Sequence, residues 1–194
     1  MQPKNDRRSL RSRQQLSDAL VSLMQEKPYH GITVQDLIDR ADVGRSTFYA
    51  HYPDKDGLLI SQLSRVIESL RHDIDHGEGE SKSLLPALGL FRHVQGHFHL
   101  YKALVGWGHN LDFVASTAQN LISSSVETQL QARLIGQPPP SIPLPVLSRY
   151  VAGTFVTLLW WWLDNNMPYS AEQMDEWFQQ LAMPGVEAAL GVRL

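Results

Sequence analysis

No cysteine occurs in the 194 residues. Disulfides, thiolate nucleophiles and Cys-ligated zinc are therefore excluded, and a reducing compartment is compatible with the composition. Long apolar runs are also missing. The longest, Tyr150 to Leu163, holds 14 residues and includes Thr154 and Thr157, whereas a membrane span needs roughly 17 or more. It reads as a buried helix, and no membrane association is expected. The first residues are polar and basic with no apolar stretch of the kind a secretory leader carries, so a cytoplasmic location is the expectation. Period-two alternation between glycine-rich turns is scarce, which argues against strands. Enzyme signatures are absent as well: there is no Walker loop, no G-x-S-x-G elbow and no H-E-x-x-H. "GEGES" (76–83 region) lacks the third glycine and the preceding strand of a dinucleotide fingerprint. No enzymatic activity and no cofactor are expected.

What is present is helical periodicity and an uneven charge. Hydrophobic residues make up 43% and charged residues 19%, enough for a sizeable core. The net charge of −3 argues weakly against nucleic acid, but residues 1–60 carry nine Lys/Arg against eight Asp/Glu, and the remaining 134 carry eight against twelve. Lys4, Arg7, Arg8, Arg11 and Arg13 face only Asp6, so basic groups gather where a polyanion could be met. The spacing predicts an all-α chain of about nine helices. The first runs from about Ser9 to Gln25 and is ended by Pro28. Thr33 caps a short helix from Val34 to Ala41, Asp42–Gly44 break the chain, and Arg45 to Tyr52 forms another short helix. Asp54 caps a long helix from Lys55 to about His76. The polar "HGEGESKS" (76–83) is a joint. Then come helices over Leu84–His97, Phe98–Trp107 and Leu111–Leu134. The five prolines of "GQPPPSIPLP" (136–145) exclude helix there. Leu147–Asn165 and Ala171–Leu190 complete the set, the last with Pro184 as an interruption.

Two short helices joined by a tight turn, the second rich in short polar side chains, form a helix-turn-helix pattern. Phe48 and Tyr52 are four apart and turn inward with Val43, leaving Ser46, Thr47, Tyr49 and Ala50 around the rest. Hydroxyls there suit phosphate oxygens. Arg45, first on the helix, suits guanine O6/N7.

On these residues "TVQDLIDRADVGRSTFYAHYPDKDGLL" (33–59) closely resembles the DNA-binding region of TetR/AcrR-type transcriptional regulators. Thr47, Phe48, Tyr49, His51, Tyr52, Lys55, Leu58 and Leu59 stand at that family's spacing, with Leu37, Ala41 and Val43 before them. The resemblance covers about 45 residues directly. It implies an N-terminal three-helix helix-turn-helix domain, residues 1–54, and a larger helical effector-binding and dimerisation domain, residues 55–194. It implies phosphate contacts at Thr33, Thr47, Tyr49 and Lys55, and base or groove-edge contacts at Gln35, Arg45, Ser46 and His51. Arg7, Arg8 or Arg11 would reach the adjacent minor groove or backbone, against the plainer reading of a solvated tail. Asp42 departs from the turn's usual glycine, at some cost in the left-handed conformation. Gly44 departs from the usual capping serine, at about a few tenths of a kcal/mol.

"LLWWWLDNN" (158–166) points Trp160, Trp161 and Trp162 three different ways, about 100° apart. One monomer core cannot take all three. One stripe holds Leu147, Val151, Thr154, Leu158 and Trp161, with Tyr150, Phe155 and Trp162 at its sides. Together with Met174, Trp177, Phe178 and Leu181, this predicts a homodimer through the helices at 147–165 and 171–190, as the resemblance also implies. Ala152 and Gly153 would permit close helix approach. The family places a small-molecule effector among the middle helices, for which Phe91, His97, Phe98, Tyr101, Trp107, Phe113 and Trp160 are the candidates, each weighed against ordinary core packing. His93/His97 and His72/His76 have i, i+4 metal spacing but no third ligand, so no metal is expected. The expectation is a ligand-responsive regulator, a repressor on a palindromic duplex operator. The rivals are an effector-independent DNA-binding protein and a metal-dependent helical enzyme using the His-rich middle segment.

Overall fold

Proline, glycine and capping side chains set where helices start and stop. The computed structural model describes the backbone of residues 3–76, 84–105 and 111–191, and side chains of residues 8–69, 84–102 and 114–191. Among the described residues the elements are α1 (Pro3–Glu26), a 3-10 turn (Tyr29–Gly31), α2 (Val34–Ala41), α3 (Arg45–His51), α4 (Lys55–His76), α5 (Ala87–Gly96), α6 (Phe98–Val105), α7 (Leu111–Arg133), α8 (Leu144–Asp164) and α9 (Ala171–Leu190). No strand occurs among them, and no helix is long and apolar enough to cross a membrane.

Four boundaries differ from the expectation. The basic arm is helical from Pro3 rather than a tail, because proline is tolerated in the first turn, where its missing N–H is unpaired anyway. α5 starts at Ala87 and not at Leu84, since Pro86 keeps the residue before it out of the helical region. α6 ends at Val105. α8 begins inside the proline-rich stretch, with Pro145 in its first turn. α9 runs through Pro184 without a break. Ala182 and Val186 on either side of that proline are buried, and the Tyr150 hydroxyl lies 3.5 Å from the Leu181 carbonyl, one turn before Gly185.

The chain divides into two compact units, Met1–Arg65 with His99–Leu111, and Val66–Phe98 with Asp112–Leu194. In the first, α1 packs on α2 and α3 around Leu16, Leu20, Leu37, Phe48 and Leu58, all fully buried. The capping box of α2 is complete: the Asp36 N–H donates to Thr33 Oγ1 at 3.1 Å and the Thr33 N–H donates to Asp36 Oδ2 at 2.7 Å. Arg40 grips Glu26 with both guanidinium ends, at 2.8 and 2.7 Å, and also donates to Ser22, tying α2 to α1. In the second unit, α9 packs on α5 and α8. Phe91, Phe155, Trp162 and Phe178 form its aromatic centre, with ring centroids 4.9 to 5.5 Å apart. α7 lies against α8 through the Ser123–Ser148 hydroxyl pair at 3.1 Å. The two helices also meet at Gly153, where an added Cβ would stand 3.3 Å from the Gln119 amide.

Candidate nucleic-acid interface

α3 is held by its apolar side and open on its polar side. Phe48 is fully buried and Tyr52 nearly so. Between α2 and α3, Asp42 takes the left-handed conformation (φ 51°, ψ 49°) that the sequence asked of it. Its N–H bonds Asp39 O, and the Val43 N–H reaches Ile38 O at 3.1 Å. Gly44 caps α3 with ordinary extended angles, so nothing in its backbone requires glycine.

The exposed flank carries Arg45, Ser46, Tyr49 and Ala50, with Thr47 half-buried at its edge. Tyr49 is 50% exposed and stands edge-on to Phe48, centroids 5.4 Å apart, so a core ring sets the direction of its hydroxyl. Arg45 donates to Gln35 Oε1 at 2.6 Å, and Gln35 Nε2 donates to Asp39 Oδ1 at 2.8 Å. This chain from α2 orients the guanidinium and leaves its remaining N–H groups for a partner. Gln35, Arg45, Ser46, Thr47 and Tyr49 thus come together on one side of the helix pair.

Three other expected contacts stand elsewhere. Thr33 uses its hydroxyl within the α2 cap, donating to Asp36 Oδ2 at 2.7 Å, so the donor a phosphate would need is already engaged. Lys55 directs its ammonium at three carbonyls, Tyr29 O, His30 O and Ile32 O, at 3.0, 3.3 and 2.9 Å, and lies over the Tyr29 ring at 4.6 Å. Burial lowers its pKa. It clamps the 3-10 turn onto α4, next to Asp56, which accepts from the Tyr29 hydroxyl at 2.5 Å. Burial and that bond raise the Tyr29 pKa. His51 turns toward α1, bonding Ser12 Oγ at 2.8 Å. The Asp39, Lys55 and Ser12 connections were missed from sequence. Only the Gln35–Asp39 pair, at i, i+4, carried a local signal.

The effector candidates separate in the same way. Phe91 is fully buried, with Phe155 and Trp162 against its ring. His97 is exposed, ends α5, and bonds His93 O at 2.8 Å while stacking on the His93 ring at 4.4 Å. Phe98 is half-buried and Tyr101 buried; burial pushes the Tyr101 hydroxyl up to about 12. Trp107 and the Phe113 side chain lie outside the described residues, as do the side chains of Arg7, His72 and His76 and all of His109. Trp160 is half-buried, with its Nε1–H enclosed and lacking a hydrogen-bond partner among the described residues. Among the described residues no three His, Asp or Glu come together as a metal site.

Residues 16–61 match the model of the bacterial regulatory proteins, tetR family. Residues 86–184, about half of the chain, match that of a transcriptional regulator C-terminal region. The chain belongs to the TetR family. This TetR-family chain is 39% identical over 72 residues to the uncharacterized HTH-type transcriptional regulator YxbF of Bacillus subtilis, a stretch covering 37% of this chain and 18% of that protein. It is 37% identical over 46 residues to the HTH-type transcriptional regulator EthR of Mycobacterium tuberculosis, covering 24% of this chain and 21% of that one. The matched stretches therefore span about a fifth of those curated relatives. In fold it is similar to a TetR transcriptional regulator from Streptococcus agalactiae, with a TM-score of 0.61 and 24% identity over 92% of this chain and 97% of the other. It is also similar to the fatty acid degradation regulator FadR of Bacillus halodurans, with a TM-score of 0.57 and 17% identity over 90% and 96%.

Proposed function

We propose that this chain is a ligand-responsive transcriptional repressor that binds a palindromic operator as a homodimer, reading bases with α3. The observation that carries this reading is the open flank of α3, where Arg45 is braced by Gln35 and Asp39 and Tyr49 is set by a buried ring. A guanidinium held in this way can pair bidentately with guanine, and exposed hydroxyls can take phosphates. Residues 1–54 act as the reading head and 55–194 as the effector and dimerisation part.

Dimerisation is supported by the apolar surface of α8 and α9. Trp161 is 46% and Leu181 67% exposed, alongside Tyr150 and Trp177. Trp161, Tyr169 and Trp177 form a continuous ladder of rings, 6.2 and 4.7 Å between centroids. Exposed aromatics this closely grouped mark an interaction face. An effector is supported by the enclosed, unpaired Nε1–H of Trp160, since a buried donor without an acceptor is costly. A molecule with an apolar body and a hydrogen-bond acceptor would answer it.

The test begins with genome-wide recovery of bound DNA fragments to find the operator, followed by fluorescence anisotropy on operator and scrambled duplex. Arg45→Ala is expected to lose about 1–3 kcal/mol of preference for the operator. Tyr49→Ala is expected to weaken both duplexes alike. Unchanged discrimination in Arg45→Ala would overturn α3 as the reader.

A further inference from the structure

We propose that Arg13 of α1 is an additional contact to the sugar–phosphate backbone, and that His51 of α3 is the residue that positions it. The proposal rests on the DNA-binding reading above and adds to it a residue outside the helix-turn-helix.

Two hydrogen bonds join α1 to the end of α3. His51 Nε2 lies 2.8 Å from Ser12 Oγ, and the Arg13 Nε–H donates to His51 Nδ1 at 3.5 Å. The state of the ring follows from its neighbours. Ser12 has one hydroxyl hydrogen, directed at the carbonyls of Arg8 and Ser9, 3.1 and 3.0 Å away. Its oxygen is thus left to accept, and Nε2 must carry the proton. A proton on Nε2 leaves the lone pair on Nδ1, which is what the Arg13 N–H requires. Both contacts call for the same neutral tautomer. Burial, and then the Arg13 charge, lower the imidazole pKa, the direction that both contacts call for.

The consequence concerns Arg13. Its Nε is held by the ring, while the guanidinium end stays in solvent, for Arg13 is exposed. Thr47 sits one turn before His51 on α3 and on the same side of it. The arginine therefore extends the Thr47 edge of the reading helix with a fixed positive charge. Arginine suits this place because its planar fork meets phosphate oxygens two at a time and loses little freedom once Nε is pinned. His51 accordingly acts through Arg13 and touches no base.

The experiment measures binding of the full chain to the recovered operator and to random duplex across a salt series. Arg13→Ala is expected to weaken both duplexes three- to tenfold and to reduce the salt slope by about one, with melting temperature unchanged. His51→Asn, whose amide oxygen stands where Nδ1 was, keeps an acceptor for Arg13 and is expected to bind like the parent chain. His51→Gln, whose amide nitrogen can still reach Ser12 but which offers Arg13 no acceptor, is expected to show the reduced slope. Combined with Arg13→Ala it should add nothing further. An unchanged slope in Arg13→Ala overturns the contact. Equal losses in His51→Asn and His51→Gln, or losses additive with Arg13→Ala, overturn the positioning role. A parent chain that binds no duplex removes the DNA-binding reading itself, whereas binding that stays selective and depends on Arg45 while ignoring Arg13 removes only this proposal.

Discussion

Asp36 serves two neighbours at the start of α2. Its carboxylate accepts from Lys27 at 2.8 Å and from the N–H and hydroxyl of Thr33, both at 2.7 Å. The lysine first, and then the threonine, hold its pKa at about 2, against an ordinary 3.8. A carboxyl whose pKa is lowered by folding stabilises the fold above its unfolded value and loses that contribution as pH falls through the folded one. The melting temperature is therefore expected to decline between pH 3.8 and about 2, and Asp36→Asn should flatten that part of the curve when melting is followed by circular dichroism. The cap itself was legible, because Thr33 and Asp36 are three residues apart on the chain. The exposed placement of Arg45, Ser46 and Tyr49 was legible for a similar reason, since helical spacing alone separates them from Phe48. The roles of Lys55 and His51 were not. Lys55 meets Ile32 O across 23 residues and His51 meets Ser12 across 39, and no local pattern announces a partner at such a distance. At these two positions the resemblance carried over the residue but not its hydrogen bonds within the chain.

Among the elements, α4 has the most restrictive start. Asp54 accepts the Gly57 N–H at 2.7 Å, and the Pro53 ring folds over the same turn. A Cβ on Gly57 would stand 2.8 Å from Pro53 Cδ and 3.1 Å from Cγ. Alanine ordinarily stabilises a helix by up to about 1 kcal/mol relative to glycine. Forcing atoms into filled space costs about 1–3 kcal/mol, and the proline ring, anchored to the backbone, has little room to yield. Gly57→Ala is therefore expected to lower stability, as urea unfolding would show by an earlier midpoint. The order of helices was readable from apolar spacing, but their ends depended on how each proline is tolerated. Pro86 stops a helix from extending back toward Leu84, Pro145 sits inside a first turn, and Pro184 lies mid-helix. Of the α8 stripe, Leu147 and Val151 are buried and Trp161 faces out, while Trp162 at its side is the fully buried ring. Periodicity gives the angle between residues but not which side meets α9.

For the whole molecule, the proposed dimer sets what binding requires. Two copies of α3 must reach successive major grooves, roughly 34–36 Å apart, so operator affinity depends on the α8–α9 surface as much as on Arg45. Leu181 is the most exposed apolar side chain of that surface's Tyr150–Trp161–Trp177–Leu181 group, and a charge there alters no core contact. Leu181→Glu is expected to give a helical monomer by analytical ultracentrifugation, with operator binding reduced at least tenfold. A dimer of unaltered stability would exclude this face.

The placement of the indoles has an optical consequence. Of the five tryptophans, four are on α8 and α9, and residues 1–65 hold none. Intrinsic emission therefore comes mainly from α8 and α9. Trp161 and Trp177, at the surface, should emit to the red and respond to quenchers when nothing covers them. Trp162, in the core, should emit to the blue and resist quenching. Subunit association would register in the first pair.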